Sequence, residues 1–145
     1  MAAPRAYFDT SALLKRYLYE AGAERARAIM RRFRFLSSAI APVEVTSALA
    51  RRRAVGDLAE RQFAAILNRS RSDRRYWELM EVNPQVLNQA EELVVQTPLR
   101  PLDAVHVASA LSFQSSTGIR VPFVTADMQQ REVAGALGLN VIWVG

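Results

Sequence analysis

Residues 5–17 read "RAYFDTSALLKRY". An apolar run, Ala6-Tyr7-Phe8, stops on a carboxylate, Asp9, and is followed by Thr10, Ser11 and apolar residues at helical spacing. The run reads as a short buried strand and residues 10–20 as the helix after it. Asp9 or Thr10 could cap that helix. A strand that ends on an acid and feeds a helix is half of a βαβ unit, so the fold class turns on whether the unit recurs.

It recurs to the end of the chain. Residues 23–33 read as a second helix and "FRFLSSA" (33–39) as a second strand. "APVEVTSALARRRAVG" (41–56) is a helix with Pro42 in its first turn and Gly56 after its end. Asp57 is expected to cap a further helix over 58–72. "YWELMEV" (76–82) is a strand, and Asn83-Pro84 and then Pro101 open two more helices. "VPFVTA" (121–126) is a strand, 127–138 a helix ending near Gly138, and "NVIWV" (140–144) the last strand. Alternating strands and helices predict a three-layer α/β/α sandwich with a mainly parallel central sheet, one domain over 1–145.

Composition narrows the function. The chain has no cysteine, which excludes disulfides, thiolate metal sites and a cysteine nucleophile. Neither a signal peptide nor an apolar stretch of membrane-spanning length is read, so the expectation is a cytoplasmic protein with no membrane partner. The net charge is +5, nearly all of it arginine, with Lys15 the one lysine. Guanidinium groups suit phosphate partners.

Only five aspartates occur. Asp57 and Asp73 lie in polar, arginine-rich surroundings, where capping or solvation accounts for them. Asp9, Asp103 and Asp127 each adjoin an apolar run, as does Glu44 in "APVEVTSAL". Capping or the helix dipole would explain any one of the four alone. Together they form a pattern. Asp9 and Asp127 both follow strand ends, where open parallel sheets bind ligands. Glu44 and Asp103 sit in first turns among apolar neighbours. Four such carboxylates in one place would repel, and a divalent cation relieves the repulsion. All-oxygen ligation points to Mg²⁺ or Mn²⁺. Thr10, Ser11 and Thr125 could bond a carboxylate or cap a helix. Arg51, on Glu44's helix face seven residues on, could bind substrate phosphate or be a solvated helix end. His106 could touch the site or the substrate, although a packed histidine bonded to a neighbour is the plainer reading. "NRSRSDRR" (68–75) reads as a solvated loop, and Leu14, Tyr17 and Leu18 as core.

"YFDTSALLK", "PVEVTSAL", "PLDAVHVASA" and "FVTADMQQ", in that order, resemble the motifs of PIN-domain nucleases, and most of all the VapC-type toxins of toxin–antitoxin pairs. The likeness runs through nearly the whole chain. It implies an α/β/α sandwich with a parallel sheet and Mg²⁺- or Mn²⁺-dependent endonucleolytic cleavage of RNA by Asp9, Glu44, Asp103 and Asp127, leaving 5′-phosphate and 3′-hydroxyl ends. Thr125 matches a hydroxyl residue before the last acid. The resemblance also implies a homodimer and a small antitoxin protein bound near the first helices, using some of Tyr17, Tyr19 and Phe33. A PIN nuclease of RNA maturation without an antitoxin, and a non-catalytic RNA- or protein-binding module, are the alternatives. A haloacid-dehalogenase-like phosphatase would need an aspartate where Ser11 stands, and a dinucleotide-binding module a glycine-rich turn after the first strand.

Overall fold

The structure is a computed structural model and describes residues 3–145. Among these, five strands alternate with seven α-helices: β1 Arg5–Phe8, α1 Thr10–Leu14, α2 Ala23–Arg32, β2 Arg34–Ser38, α3 Ala41–Ala54, α4 Glu60–Asp73, β3 Glu78–Met80, α5 Pro84–Gln96, α6 Pro101–Thr117, β4 Phe123–Thr125, α7 Met128–Ala136 and β5 Val141–Trp143. The strands form one sheet in the order β3-β2-β1-β4-β5, and every pair is parallel. All carboxyl ends therefore share one edge, and the order reverses between β1 and β4.

Both faces of the sheet are covered, which is why its strands are apolar on both sides. Tyr7, Leu36 and Phe123 turn to one face and pack with Val86 and Ala90 of α5, Val107 of α6 and Val133 of α7. Ala6, Phe8 and Val124 turn to the other, against Ala26 and Ile29 of α2. On that side Leu13 and Tyr17 continue the core onto Val45 and Leu49 of α3 and Phe63 of α4.

Four local expectations change. The helix expected over 10–20 stops at Leu14, and the chain tightens into i→i−3 bonds from Lys15, Arg16 and Tyr17. There Lys15 turns inward, giving Nζ–H to the carbonyl of Ala21 at 2.5 Å and to Glu20 at 3.3 Å. Asp57 caps nothing: α4 begins at Glu60 with Ala59 as its N-cap, and Asp57 lies in the turn beyond Gly56 (φ 86°). "NRSRSDRR" is not a loop but the last turns of α4 and a 3₁₀ turn over Arg74–Tyr76. Asp73 is neither a cap nor solvated, since its Oδ2 accepts from Tyr17 Oη at 2.6 Å and Arg16 Nε at 3.1 Å, tying the turn after α1 to the end of α4.

Candidate active site

The reversal of strand order leaves a crevice at the carboxyl edge between β1 and β4, the usual ligand position in an open parallel sheet. Asp9 follows β1 as the N-cap of α1, and Asp127 follows β4 as the N-cap of α7. Glu44 and Asp103 come from the first turns of α3 and α6. A groove of about 600 Å³ opens here, lined by Thr10, Ser11, Glu44, Arg51, Asp103, His106 and Asp127, with Arg100 and Gln130. Asp9 and Thr125 lie behind its wall, each 0% exposed.

Asp9 is held by three donors. Its Oδ1 accepts from Ser11 Oγ (2.7 Å) and the Ala12 amide (2.9 Å), and its Oδ2 from Thr125 Oγ1 (2.5 Å). Burial nevertheless wins and pushes its pKa up to about 6, against the opposing pull of His106 and of the Thr125, Ala12 and Ser11 hydrogen bonds. Thr125 Oγ1 in turn accepts from the Asp127 amide (3.0 Å), and Ser11 Oγ from the Ala126 amide (3.0 Å). These two hydroxyls lock the strand-end acids of β1 and β4 together. They donate to carboxylate and accept from backbone, which only a hydroxyl can do at one atom.

Glu44 is anchored through Oε1, which accepts from Thr10 Oγ1 and His106 Nε2, both at 2.6 Å. A carboxylate oxygen only accepts, so His106 Nε2 carries the hydrogen, and Nδ1 shares a hydrogen bond with Tyr7 Oη at 2.8 Å. Burial raises the Tyr7 pKa well above the usual phenol range, so its hydroxyl keeps its proton. Burial alone would raise Glu44 too, but the His106 and Thr10 bonds and the nearby Arg51 charge hold it below the usual carboxylate range. His106 is 1% exposed. It borders the groove, yet both ring nitrogens are spent on Glu44 and Tyr7, so any effect on a substrate passes through Glu44.

Asp103 is different. Burial raises its pKa, and the neighbouring Asp127 charge raises it further, with Arg100 opposing. Its Oδ1 accepts from Gln130 Nε2 at 3.0 Å, while Oδ2 is buried with no hydrogen-bond donor. Arg100 Nε stands 3.8 Å from that oxygen on an 81% exposed side chain, too far to hydrogen-bond it. Asp127 spends Oδ1 on the Gln130 amide (2.9 Å), its capping bond.

The four acids thus surround one groove and are linked by hydrogen bonds in two chains, Asp9–Thr125–Asp127–Gln130–Asp103 and Tyr7–His106–Glu44–Thr10. As they stand, no three His, Asp or Glu side chains among the described residues converge tightly enough to share one ion. The donor chemistry still fits a hard divalent cation: oxygens only, a buried carboxylate oxygen without a donor, and a carboxyl forced upward by its neighbour. Gln130 and Tyr7 belong to the site and were not read from sequence. The spacing Asp127-x-x-Gln130 is that of a capping box, which could have marked Gln130; its side chain instead bonds Asp103, 27 positions away.

The three basic residues 51–53 separate here. Arg52 pairs with Glu20 (2.8 Å), and Arg53 pairs with Glu60 (3.2 Å) and stacks 3.9 Å over the Phe63 ring. Arg51 faces the groove. Of the aromatics near the first helices, Tyr17 is buried, Phe33 half-buried and Tyr19 exposed.

The PIN domain family matches residues 6–136, a span that holds every site residue described above. No individual curated protein matches the sequence. Several solved structures share the fold. A toxin–antitoxin complex from Klebsiella pneumoniae aligns at TM-score 0.69 and 16% identity over 97% of this chain and 98% of that one. FitAcB from Neisseria gonorrhoeae aligns at 0.68 and 16% identity, over 94% and 96%. VapBC-5 of Mycobacterium tuberculosis, a member of the VapBC family of toxin–antitoxin systems, aligns at 0.60 and 18% identity, over 97% and 98%.

Proposed function

The chain belongs to the PIN domain family, and from that premise we propose that it is a Mg²⁺- or Mn²⁺-dependent endoribonuclease and the toxin of a toxin–antitoxin pair. The observation that carries this reading is that Glu44, Asp103 and Asp127, from three separate segments of chain, line one groove at the reversal of strand order, with Asp9 of a fourth buried behind its wall. Structural cores rarely collect unpaired carboxylates, whereas phosphodiester-cleaving sites need them. The full-length likeness to proteins solved as toxin–antitoxin complexes supports the toxin role. A homodimer, a small antitoxin partner and action in the cytoplasm go with it. Among the described residues no helix is long and apolar enough to cross a membrane.

Asp9, Asp103 and Asp127 would hold the cation, with Glu44 as a further ligand or as the group that orients the attacking water. When bound, a divalent ion supplies charge neutralisation at the phosphate and makes water a better nucleophile at neutral pH. The residues do the rest. Glu44 is kept ionised and is a weak proton acceptor, so it serves by position; His106 and Thr10 fix one of its oxygens and leave the other without a protein donor. Thr125 and Ser11 hold Asp9 in one rotamer, which spares the entropy of ordering it during reaction. Arg51 and Arg100 on the rim meet substrate phosphates. The test is RNA cleavage by the purified chain: it should need Mg²⁺ or Mn²⁺ and stop with EDTA. Cleavage undiminished in excess chelator refutes the reading. Expression alone should arrest growth, and co-expression of a small protein encoded beside it should relieve the arrest.

A further inference from the structure

Gln130 is 3% exposed, yet nothing in capping or packing requires an amide there. It occupies the third position of α7, where a glutamine side chain usually turns back to the N-cap amide. That amide, of Asp127, is already taken by Thr125 Oγ1. The Gln130 side chain runs the other way and gives Nε2–H to Asp103 Oδ1 at 3.0 Å. The carboxylate only accepts, so the amide orientation is fixed by chemistry: Nε2 faces Asp103 and Oε1 points away. Oε1 is then a fully buried carbonyl oxygen with no donor, and Asp103 Oδ2 is a fully buried carboxylate oxygen with no hydrogen-bond donor. Orphaned buried acceptors are costly. A cation held by Asp103 would satisfy its Oδ2.

The geometry points to Gln130 as a positioning residue of the metal-binding end of the groove: its amide N–H pins one oxygen of Asp103 so that the other stays free for a divalent cation. The inference rests on the metal-dependent reading above. The backbone of Gln130 completes the arrangement, because its N–H binds Asp127 Oδ1 at 2.9 Å. One residue thereby spaces two of the four acids.

The test is Mn²⁺ binding by the full chain, followed by calorimetric titration and by melting temperature with and without EDTA. Gln130→Met keeps the length of the side chain and removes both polar atoms. The expected result is a Mn²⁺ affinity about tenfold weaker or more, as for other groups that orient metal ligands, with an EDTA melting temperature close to wild type because the orphaned Oε1 leaves the core while Asp103 Oδ1 loses its donor, so the number of unpaired buried acceptors is unchanged. A purely structural role would do the opposite, lowering the EDTA melting temperature and sparing Mn²⁺ affinity in the folded protein. Gln130→Glu keeps the shape and sets a third carboxylate beside Asp103 and Asp127. It should melt lower than wild type in EDTA and gain more from Mn²⁺. Should the Met variant fail to fold, an EDTA melting temperature and Mn²⁺ gain unchanged in the Glu variant overturn the inference. Wild-type affinity in a folded Met variant also overturns it. Absence of Mn²⁺ binding by wild type removes the metal-dependent reading and this inference together; binding by wild type and the Met variant alike removes the role of Gln130 alone.

Discussion

A carboxyl with three donors ought to ionise easily, and Asp9 does not, because burial outweighs the donors and lifts it to about 6. The consequence for stability has a definite sign. An acid whose folded pKa is above its unfolded value of about 3.9 makes the folded state bind its proton more tightly. Its contribution is fully present below pH 4 and is lost as pH rises through 6. For a fully buried group a shift of about two units corresponds to roughly 3 kcal/mol at the limit. Asp9→Asn removes that loss. The asparagine carbonyl can still accept from Ser11 and the Ala12 amide, and Thr125 can turn its hydroxyl to receive the new N–H. In EDTA, wild type should therefore lose stability between pH 4 and 7 relative to Asp9→Asn, and melting curves across that range read the difference. Parallel curves would mean that Asp9 is solvated or already ionised. On the proposed function, the same variant should cleave RNA at least ~100-fold more slowly, about 2.7 kcal/mol of barrier, because a charge that would hold the cation is gone. Single-turnover cleavage measures it, with Asp57→Asn as control: Asp57 lies in a turn outside the groove, so its variant should cut at the wild-type rate.

Elements were legible in proportion to how local their causes are. The helices opened by Asn83-Pro84 and by Pro101 begin where the sequence places them, because Asn83 Oδ1 accepts from the Val86 amide and proline fits a first helical position. Alternation alone led to a mainly parallel sheet, and every pair in it is parallel. What failed was decided by contacts that no helix or strand period encodes, six positions off in one case and more than fifty in another. The helix after β1 ends early because Lys15 finds the Ala21 carbonyl, and the chain then turns at Gly22. The basic run 68–75 is helical because Asp73 finds Arg16 and Tyr17, more than fifty positions away. Gly22 shows the same long reach. It has φ 79°, and a Cβ there would stand 1.9 Å from the Val144 carbonyl oxygen. Gly22→Ala must move the strand end after β5 or unwind the start of α2. We expect a loss of several kcal/mol, beyond the ~1 kcal/mol of an ordinary left-handed position. Gly56→Ala has a similar φ with open space around it and should lose only the smaller amount. Denaturant unfolding of the two variants separates them, and equal losses would mean that the β5 end yields freely.

On the scale of the whole molecule, a basic protein carries an acidic groove. The four acids were readable because each adjoins an apolar run, which is where an unpaired carboxylate is conspicuous. The network that holds them was not: the Gln130–Asp103 and Tyr7–His106 bonds join segments 27 and 99 positions apart, and no local pattern announces them. The acids repel a phosphate backbone, so substrate affinity must come from cations on the rim. Charge count alone misleads about which ones. Of the three arginines at 51–53, two are spent on carboxylates within the fold, and Arg51 is left facing the groove; Arg100 stands across from it on an exposed side chain. Each phosphate contact on single-stranded RNA contributes about 0.7 to the slope of log affinity against log salt. In an Asp9→Asn background, chosen to slow cleavage, and in EDTA, the double substitution Arg51→Ala, Arg100→Ala should weaken RNA binding and flatten that slope by about 1.4. Arg53→Ala should leave the slope unchanged, because its guanidinium is already paired with Glu60 and stacked on Phe63. Fluorescence anisotropy over a salt series gives all three slopes. A flattening by Arg53→Ala equal to that of the rim pair would mean that RNA is held by overall charge, and that the groove has no part in choosing where it lies.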